Sequence, residues 1–281
     1  MMAMVAPRWT HPSREPVRPH ALMAVAAAIM LSVAGCDWQA EWLYRSGLQA
    51  MERGEYPKAR ASFLRLSQDY PDHRYAAEAM LHRARILWIQ EGQKEAAQVA
   101  YLDLLRDYPE APETQTAMRE LLEIYLDAPD QAIRAIQTAE QFVSRYPRSE
   151  HYDWAIGVLA DLYVKTGQFE QAIHELSQAH GGARDAVVRG RIAVKLLEVQ
   201  FLANDADAVI RTAPAVVDEL PQQLDAERVR ALYTLALAHE IRQNFESAIA
   251  LLEQLESMHP NPKAVRAKIK ALEERMARRK L

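Results

Sequence analysis

The 281-residue sequence predicts an all-α fold, a solenoid of helix-turn-helix repeats closed by a C-terminal capping helix. Two observations predict this fold class. First, Ala, Leu, Glu, Gln and Arg are frequent whereas only 9 Gly and 5 Phe occur, which is the composition of a chain rich in helix formers. Second, three similar segments end in Tyr70-Pro71, Tyr108-Pro109 and Tyr146-Pro147, at a constant spacing of 38 residues.

The first 35 residues have the pattern of a bacterial export signal. Arg8, Arg14 and Arg18 precede an uncharged, apolar run at 21–33. About 20 residues are needed to cross a bilayer as a helix, so this shorter run predicts a cleavable signal peptide rather than a membrane span. A short membrane anchor with an incidental thiol is the alternative interpretation.

A lipid attachment site follows the apolar run. Val33-Ala34-Gly35-Cys36 resembles the bacterial lipobox, and Cys36 is the only cysteine of the chain. The resemblance implies that Cys36 is acylated and becomes the first residue of a mature lipoprotein, with a short lipid-anchored tether at 36–40. Asp37 is similar to the signal that retains lipoproteins in the inner membrane of enteric bacteria. The sequence therefore leaves open whether the anchor lies in the inner or the outer membrane.

Two helices are predicted within each 38-residue period. Apolar residues at helical spacing lead to Gly54, Pro57 follows near the start of a second helix, and Pro71 ends that helix. One such pair cannot bury its apolar face alone, whereas stacked neighbours can. We expect about six repeats within 41–262, at about 40–73, 77–111, 115–149, 153–182, 186–222 and 227–262.

The alternation of small and large residues within these periods resembles the tetratricopeptide repeat. Small residues let the paired helices approach closely, and large residues fill the gaps between them. The first, fourth and sixth repeats carry this pattern at Gly47, Gly54, Tyr56, Ala59, Phe63 and Pro71, at Gly167, Phe169, Ala172 and Leu176, and at Phe245, Ala248, Leu252 and Pro260. The resemblance implies a right-handed superhelix in which the first helix of each repeat lines a concave groove.

The pattern weakens at three places. Asp127-Ala128-Pro129-Asp130 replaces the glycine turn of the third repeat, and the fifth repeat is irregular. His180-Gly181-Gly182 predicts a joint between two subdomains near 180–186. Residues 263–281 form a basic amphipathic helix that caps the last repeat; docking to an acidic partner or to anionic headgroups is the alternative role for this helix.

Catalytic and cofactor chemistry is not predicted. One cysteine excludes an intrachain disulfide or thiolate cluster, and Gln243 stands where a zinc-binding helix starting at His239 would need its second ligand. A net charge of −4 with an acidic body argues against nucleic-acid binding, which depends on Lys and Arg. We therefore expect no enzyme activity, cofactor, metal or small-molecule substrate.

The expected partner-binding groove lies along the first helices of the repeats. Arg, Trp and Tyr are the residues most often found as binding hot spots. Packing of Trp88 and Tyr233 between helices, and a purely solubilising role for the carboxylates, are the alternatives. Projecting the repeat register forward predicts groove positions at Tyr44, Glu78, Leu81, Arg85, Trp88, Trp154, Asp161 and Tyr233.

The Tyr-Pro junctions resemble those of the outer-membrane protein assembly lipoproteins (BamD type), notably at Asp69-Tyr70-Pro71 and Asp107-Tyr108-Pro109. This resemblance implies a periplasm-facing scaffold, favours the outer membrane, and implies protein or extended-peptide partners that include a component of the β-barrel assembly machinery. An adaptor for cell division, secretion or polysaccharide export is the second interpretation. An envelope enzyme or its regulatory subunit is the third.

Overall fold

The structure is a computed structural model that describes residues 37–279, so the export signal and Cys36 lie outside the described residues. Helices and short turns account for the described part, in which no β-strand occurs. This result confirms the all-α fold class. The chain divides into two compact units, Met1–Glu113 and Thr114–Leu281.

Successive helices of similar length are joined by short turns throughout both units. The first unit holds α1 (37–52), α2 (Tyr56–Asp69), α3 (Ala76–Arg85), which a π-helical turn (Ile86–Gln90) extends, and α4 (Lys94–Asp107). From Glu113 onward the chain forms α5 (Glu113–Leu126), a 3₁₀ turn (Pro129–Gln131), α6 (Ala132–Arg145), α7 (Tyr152–Lys165), α8 (Phe169–Gly182), α9 (Ala186–Leu202), α10 (Ala206–Glu219), α11 (Asp225–Ile241), α12 (Phe245–Leu255) and α13 (Pro262–Arg279).

The core of the first unit depends on close approach between α1 and α2. Phe63 is fully buried and packs with Leu43 and Leu66. A Cβ atom at Gly47 would lie only 2.5 Å from Cε1 of Phe63, so only glycine fits opposite this ring. Ala59 is also fully buried, which agrees with the expected alternation of small and large residues.

In the second unit each helix from α6 to α13 packs on the next, and first helices of neighbouring pairs also touch. α7 contacts both α8 and α9, and α9 contacts both α10 and α11. Fully buried Ala172 and Ala248 mark the close approaches within two of these pairs. This packing is the arrangement in which each repeat buries the face that its neighbour leaves open.

The Tyr-Pro junctions repeat one backbone conformation. Tyr70, Tyr108 and Tyr146 end α2, α4 and α6 with φ of −136°, −128° and −121° and ψ of 58°, 55° and 55°. Each tyrosine donates its backbone N–H to the carbonyl four residues earlier and accepts from the N–H three residues later. The 38-residue sequence spacing therefore corresponds to a structural repeat.

The turns between paired helices use a left-handed residue, which is not always glycine. Gly54, Gly92 and Gly167 have φ of 72°, 66° and 77°. Asn204 and Gln243 occupy the same kind of turn with φ of 63° and 59°. The sequence pattern does not reveal these two positions, because it identifies this turn by glycine alone.

Two boundaries differ from the sequence expectation. Residues 37–40, expected to form a short tether, belong to α1, and Ala40 is fully buried against the core. The segment 180–186 lies inside the second unit, where α8 packs directly on α9. Gly181 and Gly182 end α8 as helical residues, so the pair of glycines does not separate two subdomains.

Candidate partner-binding surfaces

Two of the predicted groove residues are buried in the first unit. Tyr44 and Leu81 are only 8% and 6% exposed. The Tyr44 ring stacks on that of Tyr75, with centroids 4.2 Å apart and 10° between the planes. Burial and a hydrogen bond to Glu78 raise the pKa of Tyr44 above its usual value. Both side chains pack inward, because they share the helix faces that α1 and α3 turn towards the core.

Three other predicted residues remain partly exposed along α3 and its π-helical extension. Glu78, Arg85 and Trp88 are all half-buried, and spacings of seven and three residues bring them to one side of the helix. We call this the α3 face. The indole of Trp88 packs edge-on against the ring of Tyr101, with centroids 6.5 Å apart, so the indole is held in place while part of its surface remains accessible.

A polar cavity of about 670 Å³ lies where the Tyr-Pro turns of the first unit meet, within the usual size range of ligand sites. Arg83, Asp103 and Arg106 lie in its wall. The Arg83 Nε is buried without a hydrogen-bond partner, and burial lowers the pKa of Arg83 despite the attraction of Asp103. The unpartnered Nε–H of Arg83 offers this cavity a hydrogen-bond donor for a peptide carbonyl or a carboxylate.

In the second unit, a ladder of ion pairs connects successive first helices. Arg191 on α9 contacts Asp153 on α7 at 2.7 Å and Glu227 on α11 at 3.8 Å. Lys195 reaches Asp161 at 2.5 Å, and Arg230 makes two 2.7 Å contacts with Glu198. The predicted groove residue Asp161 is therefore exposed but already paired.

The half-buried Trp154 and Tyr233 lie on the same helices as this ladder, and only Tyr233 borders a described cavity. The second cavity, of about 610 Å³, is mainly apolar and is lined by Val229, Tyr233, Met258, His259 and Pro260, among others. The ring centroids of Tyr233 and His259 are 5.6 Å apart. Met258 is 44% exposed at the rim. This cavity has the chemistry to accept an apolar side chain of a partner.

Several basic side chains of the C-terminal helix α13 form ion pairs within the chain. Lys268 and Arg275 both pair with Glu240, at 2.6 and 2.5 Å. Val265 and Leu272 are 1% exposed and close the apolar core of the last repeat. These contacts support the expected capping role of this helix.

The cross-helix ion pairs and the π-helical turn were not expected from the sequence. The sequence does contain a signal for the ion pairs, because the oppositely charged Asp153 and Arg191 are separated by one repeat period of 38 residues. The π-helical turn has no comparable sequence signal. Within residues 37–279, no cluster of metal-ligating side chains is found, and none of the helices there combines the length and hydropathy needed to span a bilayer.

Comparisons with known proteins identify one family. The model of the YfiO family, described as outer membrane lipoprotein, matches residues 36–196, which is more than half of the chain and begins at the predicted lipidation site. Among curated protein sequences, none matches this chain.

Three solved structures illustrate the structural likeness. A tetratricopeptide repeat protein from Parabacteroides merdae is 13% identical, with a TM-score of 0.48 and coverage of 84% of this chain and 99% of that chain. Pseudomonas aeruginosa pilF is 13% identical, with a TM-score of 0.48 and coverage of 83% and 99%. A chain of Naa15/Naa10 bound to HypK-THB is 14% identical, with a TM-score of 0.54. The match covers 84% of this chain but only 39% of that chain. The last likeness supports the helical fold alone.

Proposed function

The chain belongs to the YfiO family of outer membrane lipoproteins, and on this premise we propose that it is a non-catalytic scaffold in outer-membrane protein assembly. In this proposal acyl chains on Cys36 anchor it, and its helical repeats face the periplasm and bind protein partners. The family match, the repeat fold and the lipobox-like segment at 33–36 support the proposal.

The α3 face is the observation that carries the binding role. Arg85 and Trp88 are half-buried side by side on a first helix, within the residues that the family model matches. Partly buried Trp and Arg side chains on a rigid helix lose little conformational freedom when a partner covers them, which is why such residues dominate binding energies. The polar cavity beside Arg83 belongs to the same unit and can receive backbone or carboxylate groups of that partner.

The partners in this proposal are proteins with accessible extended segments. A helical-repeat surface with a separate apolar and a separate polar contact suits a chain that has not yet folded, such as a β-barrel client, or a flexible segment of the insertase. The partly exposed ion-pair ladder of the second unit adds a charged surface that contributes specificity more than affinity.

The experiment is site-specific photocrosslinking in the intact cell envelope. A photoreactive residue replaces Trp88 or Arg85, and captured proteins are identified by mass spectrometry. The matched control replaces Arg65, a strongly exposed residue on α2 of the same unit. We expect the insertase or its β-barrel clients to be captured from positions 85 and 88 but not from position 65.

Two results would contradict this proposal. Equal capture from position 65 would show that contact with the partner is not specific to the α3 face. Capture of components of cell division, secretion or polysaccharide export, without any component of barrel assembly, would instead support the function of an adaptor for those processes.

A further inference from the structure

The first helix carries two exposed tryptophans beside each other. Trp38 and Trp42 are 69% and 56% exposed, and their spacing of four residues places them on one face of α1. Arg45 and Gln49 continue this stripe on the next turns and are exposed as well. We call Trp38, Trp42 and Arg45 the tryptophan face. Large indoles at this exposure are unfavourable in water, because most of their surface is apolar.

The tryptophan face cannot turn inward. The opposite side of α1 is committed to the core through Ala40, Leu43 and Tyr44, which are 0%, 6% and 8% exposed. A helix that buries one side in this way presents the other side permanently to its surroundings. Trp38 and Trp42 are therefore directed outward by the packing of the first unit.

The first turn of α1 is also fixed at its start. The Asp37 carboxylate lies 3.0 Å from Nε2 of His73, and the Tyr70 hydroxyl donates a 2.6 Å hydrogen bond to Gln39. Nδ1 of His73 accepts a hydrogen bond from the backbone N–H of Tyr75. These contacts hold the beginning of α1 against the turn that follows α2.

The tryptophan face starts two residues after Cys36. Consecutive Cα atoms are 3.8 Å apart and a helix rises about 1.5 Å per residue, so the Cα of Trp42 lies within roughly 12 Å of the Cα of Cys36. Acyl chains on Cys36 enter the hydrocarbon region of a bilayer. Because residues 37–40 are helical, side chains this close to the anchor can reach the headgroup region of the same leaflet.

From these observations we propose that the tryptophan face docks flat on the membrane surface and fixes the orientation of the first unit relative to the bilayer. The inference rests on the lipid anchor of the proposed function. Indoles prefer the boundary between headgroups and hydrocarbon, and the exposed guanidinium of Arg45 lies one turn further along, where it meets lipid phosphates. Glu41 is partly neutralised by Arg45, at 2.7 Å, and by Arg74, at 3.6 Å, which limits repulsion from anionic headgroups.

The test uses the full-length lipidated protein, purified and reconstituted into phosphatidylcholine–phosphatidylglycerol vesicles with brominated or ordinary acyl chains. Bromine quenches only those indoles that reach the bilayer. We expect brominated vesicles to quench a large share of the tryptophan emission of the wild-type protein. The double variant Trp38→Phe/Trp42→Phe should lose this quenching, whereas the matched variant Trp88→Phe should keep it.

Every outcome is informative because vesicle association is measured separately by flotation. Quenching that persists in the double variant, or wild-type protein that floats with vesicles without being quenched, overturns docking while leaving the lipid anchor intact. Protein that fails to float contradicts the anchor itself and with it the docking. Shielding of Trp38 and Trp42 only after a protein partner is added assigns the face to that partner and also overturns the proposal. Unchanged circular dichroism of the variants verifies their folding.

Discussion

The hydroxyl of Tyr163 on α7 donates a hydrogen bond of 2.5 Å to Oε1 of Glu140 on α6. It connects neighbouring helix pairs through a phenol that is only 6% exposed. Burial, with smaller contributions from the hydrogen bond and the negative charge of Glu140, raises the pKa of Tyr163 above its usual value. The folded state therefore keeps this proton more tightly than the unfolded state does.

This shift predicts a specific loss of stability at high pH. Because the pKa is raised by folding, the contribution of Tyr163 is fully present below about pH 10 and declines as the pH rises further. Tyr163→Phe should lower the free energy of unfolding by about 1–2 kcal/mol at pH 7 and make its decline above pH 10 shallower. Urea unfolding at pH 7, 9 and 10.5 measures both effects; parallel declines for variant and wild type would refute this role of Tyr163.

The contact between Gly47 and Phe63 predicts a large effect of a single methyl group. A Cβ at Gly47 would approach the fully buried ring to 2.5 Å, so Gly47→Ala should lower the free energy of unfolding by about 1–3 kcal/mol. The matched control is Gly157→Ala on α7, where nothing lies within 4 Å of the added Cβ and helix propensity should increase stability by roughly 0.5–1 kcal/mol. Effects of the same sign in the two variants would contradict this account.

The left-handed turn at Gln243 predicts a stabilising substitution. A non-glycine residue at φ 59° carries strain of about 1–2 kcal/mol. Gln243→Gly should therefore raise the thermal unfolding midpoint, and Gly167→Ala, at φ 77°, should lower it. Calorimetry checks both variants. A lower midpoint for Gln243→Gly would show that the Gln243 side chain stabilises the folded state by more than the backbone strain destabilises it.

Much of the fold follows from features that are visible in the sequence. The Tyr-Pro spacing corresponds to a repeated backbone conformation, and the size alternation at Gly47, Ala59 and Phe63 describes real helix contacts. The turns at Asn204 and Gln243 escape prediction because the pattern identifies this turn by glycine. Asparagine is enriched in left-handed backbone among the other residues, whereas glutamine is uncommon there. The division into units after Glu113 could not be recognised from the composition of the sequence. Conversely, Gly181-Gly182 suggests a boundary in the sequence, but the structure has none there.

The surface was predicted less well than the fold. Register along a repeat identifies the first helices, but whether a side chain on them points inward depends on helix rotation, which shifts with each local packing contact. Tyr44 and Leu81 consequently lie in the core, whereas Arg85 and Trp88 remain partly exposed. Cross-helix pairs such as Asp161–Lys195 need the helices to be placed before their partners can be recognised.

The lipid anchor makes a prediction that does not depend on the described residues. Cys36→Ser removes the only thiol that can accept an acyl chain. We expect the variant either to appear in the soluble envelope fraction or to accumulate as the uncleaved precursor. Membrane fractionation with a high-salt wash and measurement of chain length separates these states. A variant that is cleaved to mature length and still stays with washed membranes would place the anchor elsewhere.

The central claim is that this lipoprotein holds a β-barrel assembly partner on the α3 face. Its most direct test is co-purification of the insertase from detergent-solubilised envelopes with wild-type protein and with Trp88→Ala. Because truncating a binding hot spot costs about 2 kcal/mol or more, we predict a roughly 30-fold loss of affinity in the variant, with an unchanged thermal midpoint as the folding control. Equal recovery of the insertase with both proteins, or its absence from both, would contradict the claim.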